Sequence, residues 1–189
     1  MNAAITKEEI NLMPPVNFNK QIVVADTPEE AENAVNYLSQ FPLLGFDTET
    51  RPVFQKGRAS NGTALVQVAS DDVCVLFRLN RMPFPPALER LLSDPNILKI
   101  GLSLRDDYHS LNRRYKFTPQ GFIDLQQLVT NYGIEEMSLQ KIYALLFHKR
   151  ITKGQRTSNW EACELSEAQQ KYAALDAWAC LKIYKKLCR

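Results

Sequence analysis

Apolar residues along this chain recur at two spacings. Short alternating or continuous apolar runs at 21–25, 43–48, 64–69, 73–78, 97–102 and 121–124 read as strands. Ser70-Asp71-Asp72 separates the third run from the fourth and predicts a hairpin. Elsewhere the spacing is helical. Thr27 can cap a helix, with Pro28 in its first position and Glu30 closing a capping box, and the segment runs to about 39. Further helices are expected at 87–93, at 104–115, near 125–131 and from the cap Ser138 to about 147. The last begins at Ser166, paired with Gln169 in another capping box, and runs almost to 189. Residues 1–19, with Pro14-Pro15 and little periodicity, read as an N-terminal arm, and 20–189 as one domain. The segments 51–62 and 149–160 read as polar loops. Strands first in hairpins, then alternating with helices, predict an α/β fold with a mixed central β-sheet flanked by α-helices.

Composition narrows this picture modestly. The 189 residues suit one domain, and 45% hydrophobic with 23% charged residues is ordinary for a globular chain. The length leaves no room for a helicase, polymerase or added RNA-binding domain, so such activities are expected from a partner. A net charge of +2 does not identify a nucleic-acid partner, so that case must rest on local clusters. No apolar run approaches membrane-spanning length, and no basic start precedes an early apolar core. These features predict a cytoplasmic protein, or a nuclear one in a eukaryote. Cys74, Cys163, Cys180 and Cys188 form no C-x-x-C pair, and only His109 and His148 accompany them. That argues against zinc and for reduced, buried thiols.

One stretch carries candidate chemistry. In Leu43-Leu44-Gly45-Phe46-Asp47-Thr48-Glu49-Thr50, an apolar run passes into two acids two positions apart. In a strand Asp47 and Glu49 share a face, while Phe46 and Thr48 share the other. Two carboxylates at a buried strand end repel each other unless a cation lies between them. Asp106 and Asp107 follow Leu104. The stripe Leu104, Tyr108, Leu111 and Tyr115 turns Asp107 toward the sheet and Asp106 toward water. In the last helix Tyr172 and Asp176 stack one turn apart within an apolar, small-residue run, where an acid is out of place unless it is paired or binds something. Oxygen ligands without histidine or cysteine select Mg²⁺ or Mn²⁺, whose shells are commonly completed by phosphate oxygens. A phosphodiester substrate follows.

Phe46-Asp47-Thr48-Glu49-Thr50, then Lys99-Ile100-Gly101 leading to Asp107, then Tyr172-x-x-x-Asp176, resembles the three motifs of the DEDDy 3′–5′ exonucleases, a family of the ribonuclease H-like superfamily. Within it, Thr157-Ser158-Asn159-Trp160 followed by Leu165-Ser166-Glu167 is similar to the Werner syndrome exonuclease type, with ribonuclease D a more distant relative. The resemblance spans 21–187 and implies a ribonuclease H-like fold and two-metal hydrolysis of DNA or RNA from the 3′ end, releasing nucleoside 5′-monophosphates. It implies that Asp47 bridges two Mg²⁺ or Mn²⁺ ions and that Glu49 and Asp176 complete one site. Asp107 would hold the second ion, and Tyr172 would orient the attacking water. The acid doublet departs from the family pattern, leaving Asp106 as the alternative to Asp107. A nucleic acid, single-stranded or with a free 3′ end, is the expected partner. Thr48, Lys153 and Arg156 are candidate contacts to it, the last two in the basic loop Lys149, Arg150, Lys153 and Arg156. Trp160 reads as a loop anchor more than a base platform, and Lys182, Lys185 and Lys186 as an exposed face at a helix end. Two other readings compete. Asp47-Thr48-Glu49 also resembles the acid pair of haloacid-dehalogenase-like phosphatases, although their second acid is normally aspartate. A nucleic-acid-binding module with weak catalysis is the third.

Overall fold

The computed structural model describes residues 4–53, 61–152 and 154–188. Six strands form one mixed sheet: β1 (Gln21–Ala25), β2 (Leu43–Thr50), β3 (Thr63–Ala69), β4 (Val73–Arg78), β5 (Leu98–Gly101) and β6 (Phe122–Asp124). Their order is β1-β4-β3-β2-β5-β6. The hairpin β3–β4 and the pair β2–β3 are antiparallel, while β1–β4, β2–β5 and β5–β6 are parallel. β3 and β4 are buried along their whole length, so their apolar runs are continuous rather than alternating.

Helices cover both faces. Leu44, Phe46, Val66, Val68, Val75 and Phe77 point to one face. There they meet α2 (Pro28–Leu38), α3 (Pro86–Ser93) and α4 (Leu104–Arg114). On the opposite face Leu65, Cys74, Leu76 and Ile100 meet α6 (Leu139–Phe147) and α7 (Glu167–Leu187). The capping boxes at Thr27/Glu30 and Ser166/Gln169 form as the sequence predicts, because both are local contacts. The segment expected near 125–131 divides into a short α5 (Leu125–Leu128) and a 3-10 turn, Val129–Tyr132. No helix among the described residues is long and apolar enough to cross a membrane.

The arm differs from its aperiodic reading. It contains α1 (Lys7–Leu12), started by a Thr6/Glu9 capping box. It is fixed to the domain through Arg150, whose Nε donates to the Met13 carbonyl at 2.9 Å. The Arg150 backbone also pairs with Pro14 and Val16, and Val16 and Phe18 enter the core. Arg150 is thus an anchor, not a free loop cation. Two lysines of the last helix also acquire a partner, while Lys186 is exposed as expected. Lys185 pairs with Asp71 in the β3–β4 turn and Lys182 approaches it at 3.7 Å, so both are half-buried and hold that turn rather than facing solvent freely. All four thiols are free, but only Cys74 and Cys180 are buried; Cys163 and Cys188 are exposed, contrary to expectation.

Candidate metal centre

Gly45 sets the geometry. It shares the α7 face of β2 with Asp47 and Glu49. A Cβ at Gly45 would lie 2.0 Å from the Ala177 carbonyl oxygen, so α7 crosses β2 backbone against backbone. Ala173, Ala174 and Ala177, all buried, permit this approach. Asp176 is thereby carried over the strand end. Carboxylate oxygens of Asp47, Glu49 and Asp176 lie within 4.8 Å of one another. The β2–β3 register shifts between Glu49 and Thr50, an irregularity of the kind that re-aims side chains at strand ends.

Asp47, Tyr172 and Asp176 line a cavity of ≈ 420 Å³ together with Leu102, Ser138, Gln140 and Arg156. The acids there are poorly hydrated and close to each other. Burial, aided by the charges of Asp176 and Asp107, pushes Glu49 up to about 8, with Arg156 pulling the other way. Burial pushes Asp176 up to about 7, against the Tyr172 hydroxyl, which favours the ionised form. Asp47 is raised well above the usual carboxylate range by burial and then by Asp176, Asp107 and Glu49. A site that so strongly disfavours its own negative charge, built from hard oxygen donors, fits a divalent cation such as Mg²⁺ or Mn²⁺. Tyr172 is raised by burial, with neighbouring acids adding, so its hydroxyl stays protonated near neutrality.

Asp107 reaches the centre differently. β5 pairs with β2 only from Leu43 to Gly45, leaving that edge of Asp47–Thr50 open. The start of α4 fills this gap, and the Thr48 hydroxyl donates to the Asp107 carboxylate. Thr48 lies on the opposite face of β2 from Asp47 and Glu49, so Asp107 approaches around the strand edge and stands outside the group of three. Burial pushes it up to about 6, partly offset by Thr48. Asp106 is exposed, as the stripe predicts. Thr48, a candidate nucleic-acid contact, engages Asp107 through its hydroxyl. Lys153 lies outside the described residues.

Several contributors escaped the sequence reading. Asp124 accepts from the backbone N–H groups of Ser103 (3.0 Å) and Leu104 (2.9 Å), fixing the start of α4 and hence Asp107. Ser103 takes a left-handed φ of 59° there. The signal was an acid at a strand end, read only as the end of the strand. Gln67 sits opposite Asp47 across β2–β3, fully buried, its amide without a hydrogen bond among the described residues. A glutamine interrupting Ala64-Leu65-Val66-Gln67-Val68-Ala69 was the signal. Ser138 and Gln140 join only through long-range packing. Trp160 is buried against Tyr172, ring centroids 6.1 Å apart, and anchors its loop as expected. Arg78 holds that loop from below by donating to the carbonyls of Ala162 and Cys163.

Known structures share this fold. RNase D of Escherichia coli, described as an exoribonuclease involved in structured RNA processing, superimposes with a TM-score of 0.79 at 24% identity, over 90% of this chain and 44% of that one. The likeness shows the fold, the ribonuclease H-like α/β arrangement. Residues 22–189 match the sequence model of the 3′-5′ exonuclease domain, and the chain belongs to that family. It is 33% identical over 185 residues to the bifunctional 3′-5′ exonuclease/ATP-dependent helicase WRN of Mus musculus, covering 93% of this chain and 13% of that protein. It is 35% identical over 158 residues to exonuclease 3′-5′ domain-containing protein 2 of Drosophila melanogaster, covering 82% of this chain and 27% of that protein. The chain thus spans a minor part of these relatives' length.

Proposed function

We propose that this protein is a metal-dependent 3′–5′ exonuclease acting on DNA or RNA by a two-ion mechanism. The observation that carries the reading is the convergence of Asp47, Glu49 and Asp176 within 4.8 Å, at a cavity of ≈ 420 Å³ that Asp47 and Asp176 line. Membership of the 3′-5′ exonuclease family supports it. Asp47, Glu49 and Asp176 would hold Mg²⁺ or Mn²⁺, with Asp107 contributing from the strand edge. Bound there, the ions would acidify water and stabilise charge on the attacking and leaving oxygens. Tyr172, kept protonated, uses its hydroxyl to orient water rather than to take its proton. Arg156 supplies positive charge at the mouth for a phosphate. Thr48 fixes the Asp107 carboxylate at the strand edge. The product is a nucleoside 5′-monophosphate.

The test uses DNA and RNA strands labelled at either end, incubated with Mg²⁺, Mn²⁺ or chelator. The reading expects mononucleotides from the 3′ end with either ion and none with chelator. Strand binding without mononucleotide release would favour the binding-module reading instead.

A further inference from the structure

A second cavity of ≈ 400 Å³ adjoins the acid-lined one and shares Ser138 and Gln140 with it. Its other walls are Lys7, Ile10 and Asn11 from α1, Lys141 from α6, and Arg150, Ile151 and Thr152 from the following loop. Lys7, Ile10 and Asn11 recur at i, i+3 and i+4, so one face of α1 is turned to the groove. That face carries a cation and an amide. Glu8 and Glu9 lie off it, and Glu9 is engaged in the cap at Thr6. The lining therefore holds three cations and no acid, two isoleucines and several hydrogen-bonding side chains. Lys141 is partly neutralised by Glu136 at 2.9 Å. The shared wall is also the start of α6, whose backbone dipole adds positive potential. α1 lies before the residues that match the family model, 22–189.

Cationic, apolar and amide groups side by side suit the phosphate, base and sugar edges of a single-stranded nucleic acid. Since the two cavities share Ser138 and Gln140, a strand whose terminal nucleotide occupies the acid-lined one has the cationic groove as its neighbour. We propose that α1 and the loop at 150–152 form a subsite for the nucleotides on the 5′ side of the scissile bond, contacting them through Lys7, Asn11, Gln140 and Thr152. This assignment rests on the exonuclease reading for the direction of the strand, but the binding surface can be tested without hydrolysis.

Lys7→Glu and Thr152→Glu place an acid on opposite walls, so a folding defect in one variant does not decide the matter. In chelator, binding of a fluorescent single-stranded oligonucleotide is measured by anisotropy across a salt series, with a dinucleotide as the short control. Each variant is expected to weaken oligonucleotide binding about three- to tenfold and to lower the salt slope by about 0.7 for a lost phosphate contact, leaving the dinucleotide unaffected. With Mn²⁺ added, KM for the oligonucleotide rises while hydrolysis of thymidine 5′-(p-nitrophenyl phosphate), which needs only the acid cavity, is unchanged. Unaltered affinity and salt slope in both variants would overturn the subsite. Wild-type protein that binds oligonucleotide through Lys7 and Thr152 yet cleaves neither substrate would retain the surface and overturn the exonuclease reading alone.

Discussion

Glu30 and Glu49 are the same side chain in opposite settings. Glu30 stands at the start of α2 and accepts from the N–H groups of Asp26 and Thr27 at 2.9 and 3.0 Å. Those bonds hold it below the usual carboxylate range. Glu49 stands at the end of β2 beside Asp176 and Asp47, and burial pushes it up to about 8. The first glutamate stabilises the fold by being charged. The second opposes the fold when charged, unless a cation joins it. A carboxylate that costs stability and is nevertheless held rigidly by a strand and a close-packed helix marks the place where the chain is built for binding.

The largest effect expected is on chemistry. Asp176→Asn should reduce mononucleotide release by about 10³-fold or more, as removal of a principal ligand does, while leaving the circular dichroism spectrum unchanged. A turnover close to wild type would detach Asp176 from the centre. Gly45→Val tests how the centre is assembled. Its side chain would meet the Ala177 carbonyl and force α7 away from β2, and denaturant unfolding should show a loss of more than about 3 kcal/mol. An unaltered midpoint would mean that the helix does not depend on that close approach.

The pH dependence follows from the raised carboxyls. In the folded protein Glu49, Asp176 and Asp107 bind protons up to about 8, 7 and 6, well above the range of about 4 expected in the unfolded chain. Their protonated forms therefore favour folding. That contribution is full below about pH 4 and is lost as pH rises through 6 to 8. In chelator the thermal midpoint should fall between pH 6 and pH 8, and saturating Mn²⁺ should flatten the slope. Glu30 has the reverse sign: its contribution is present above the usual glutamate range and is lost as pH falls through its lowered value. Glu49→Gln should accordingly raise stability in chelator by about 1–2 kcal/mol, and Glu30→Gln should lower it. Changes of equal sign would break the contrast.

Much of this was legible in the residues because much of it is local. Alternation placed Asp47 with Glu49, a four-residue spacing placed Tyr172 with Asp176, and Thr27/Glu30 and Ser166/Gln169 marked their helix starts. The helix in the arm was missed although Thr6 and Glu9 carry the same cap, because six residues show no period and their support comes from Arg150, far away in the sequence. Asp107 was turned correctly toward the sheet by its stripe. That it meets Thr48 around the strand edge depends on where β5 stops, which only pairing decides. The basic loop read as a candidate phosphate contact divides its duties: Arg150 anchors the arm, and Arg156 faces the acid cavity.

The most direct measurement is anomalous diffraction at the manganese edge from crystals soaked in Mn²⁺ with a nucleoside 5′-monophosphate. Manganese peaks bonded to the carboxylates of Asp47, Glu49 and Asp176 are the predicted result. No peak between these three side chains, with nucleotide bound in the same cavity, would contradict it.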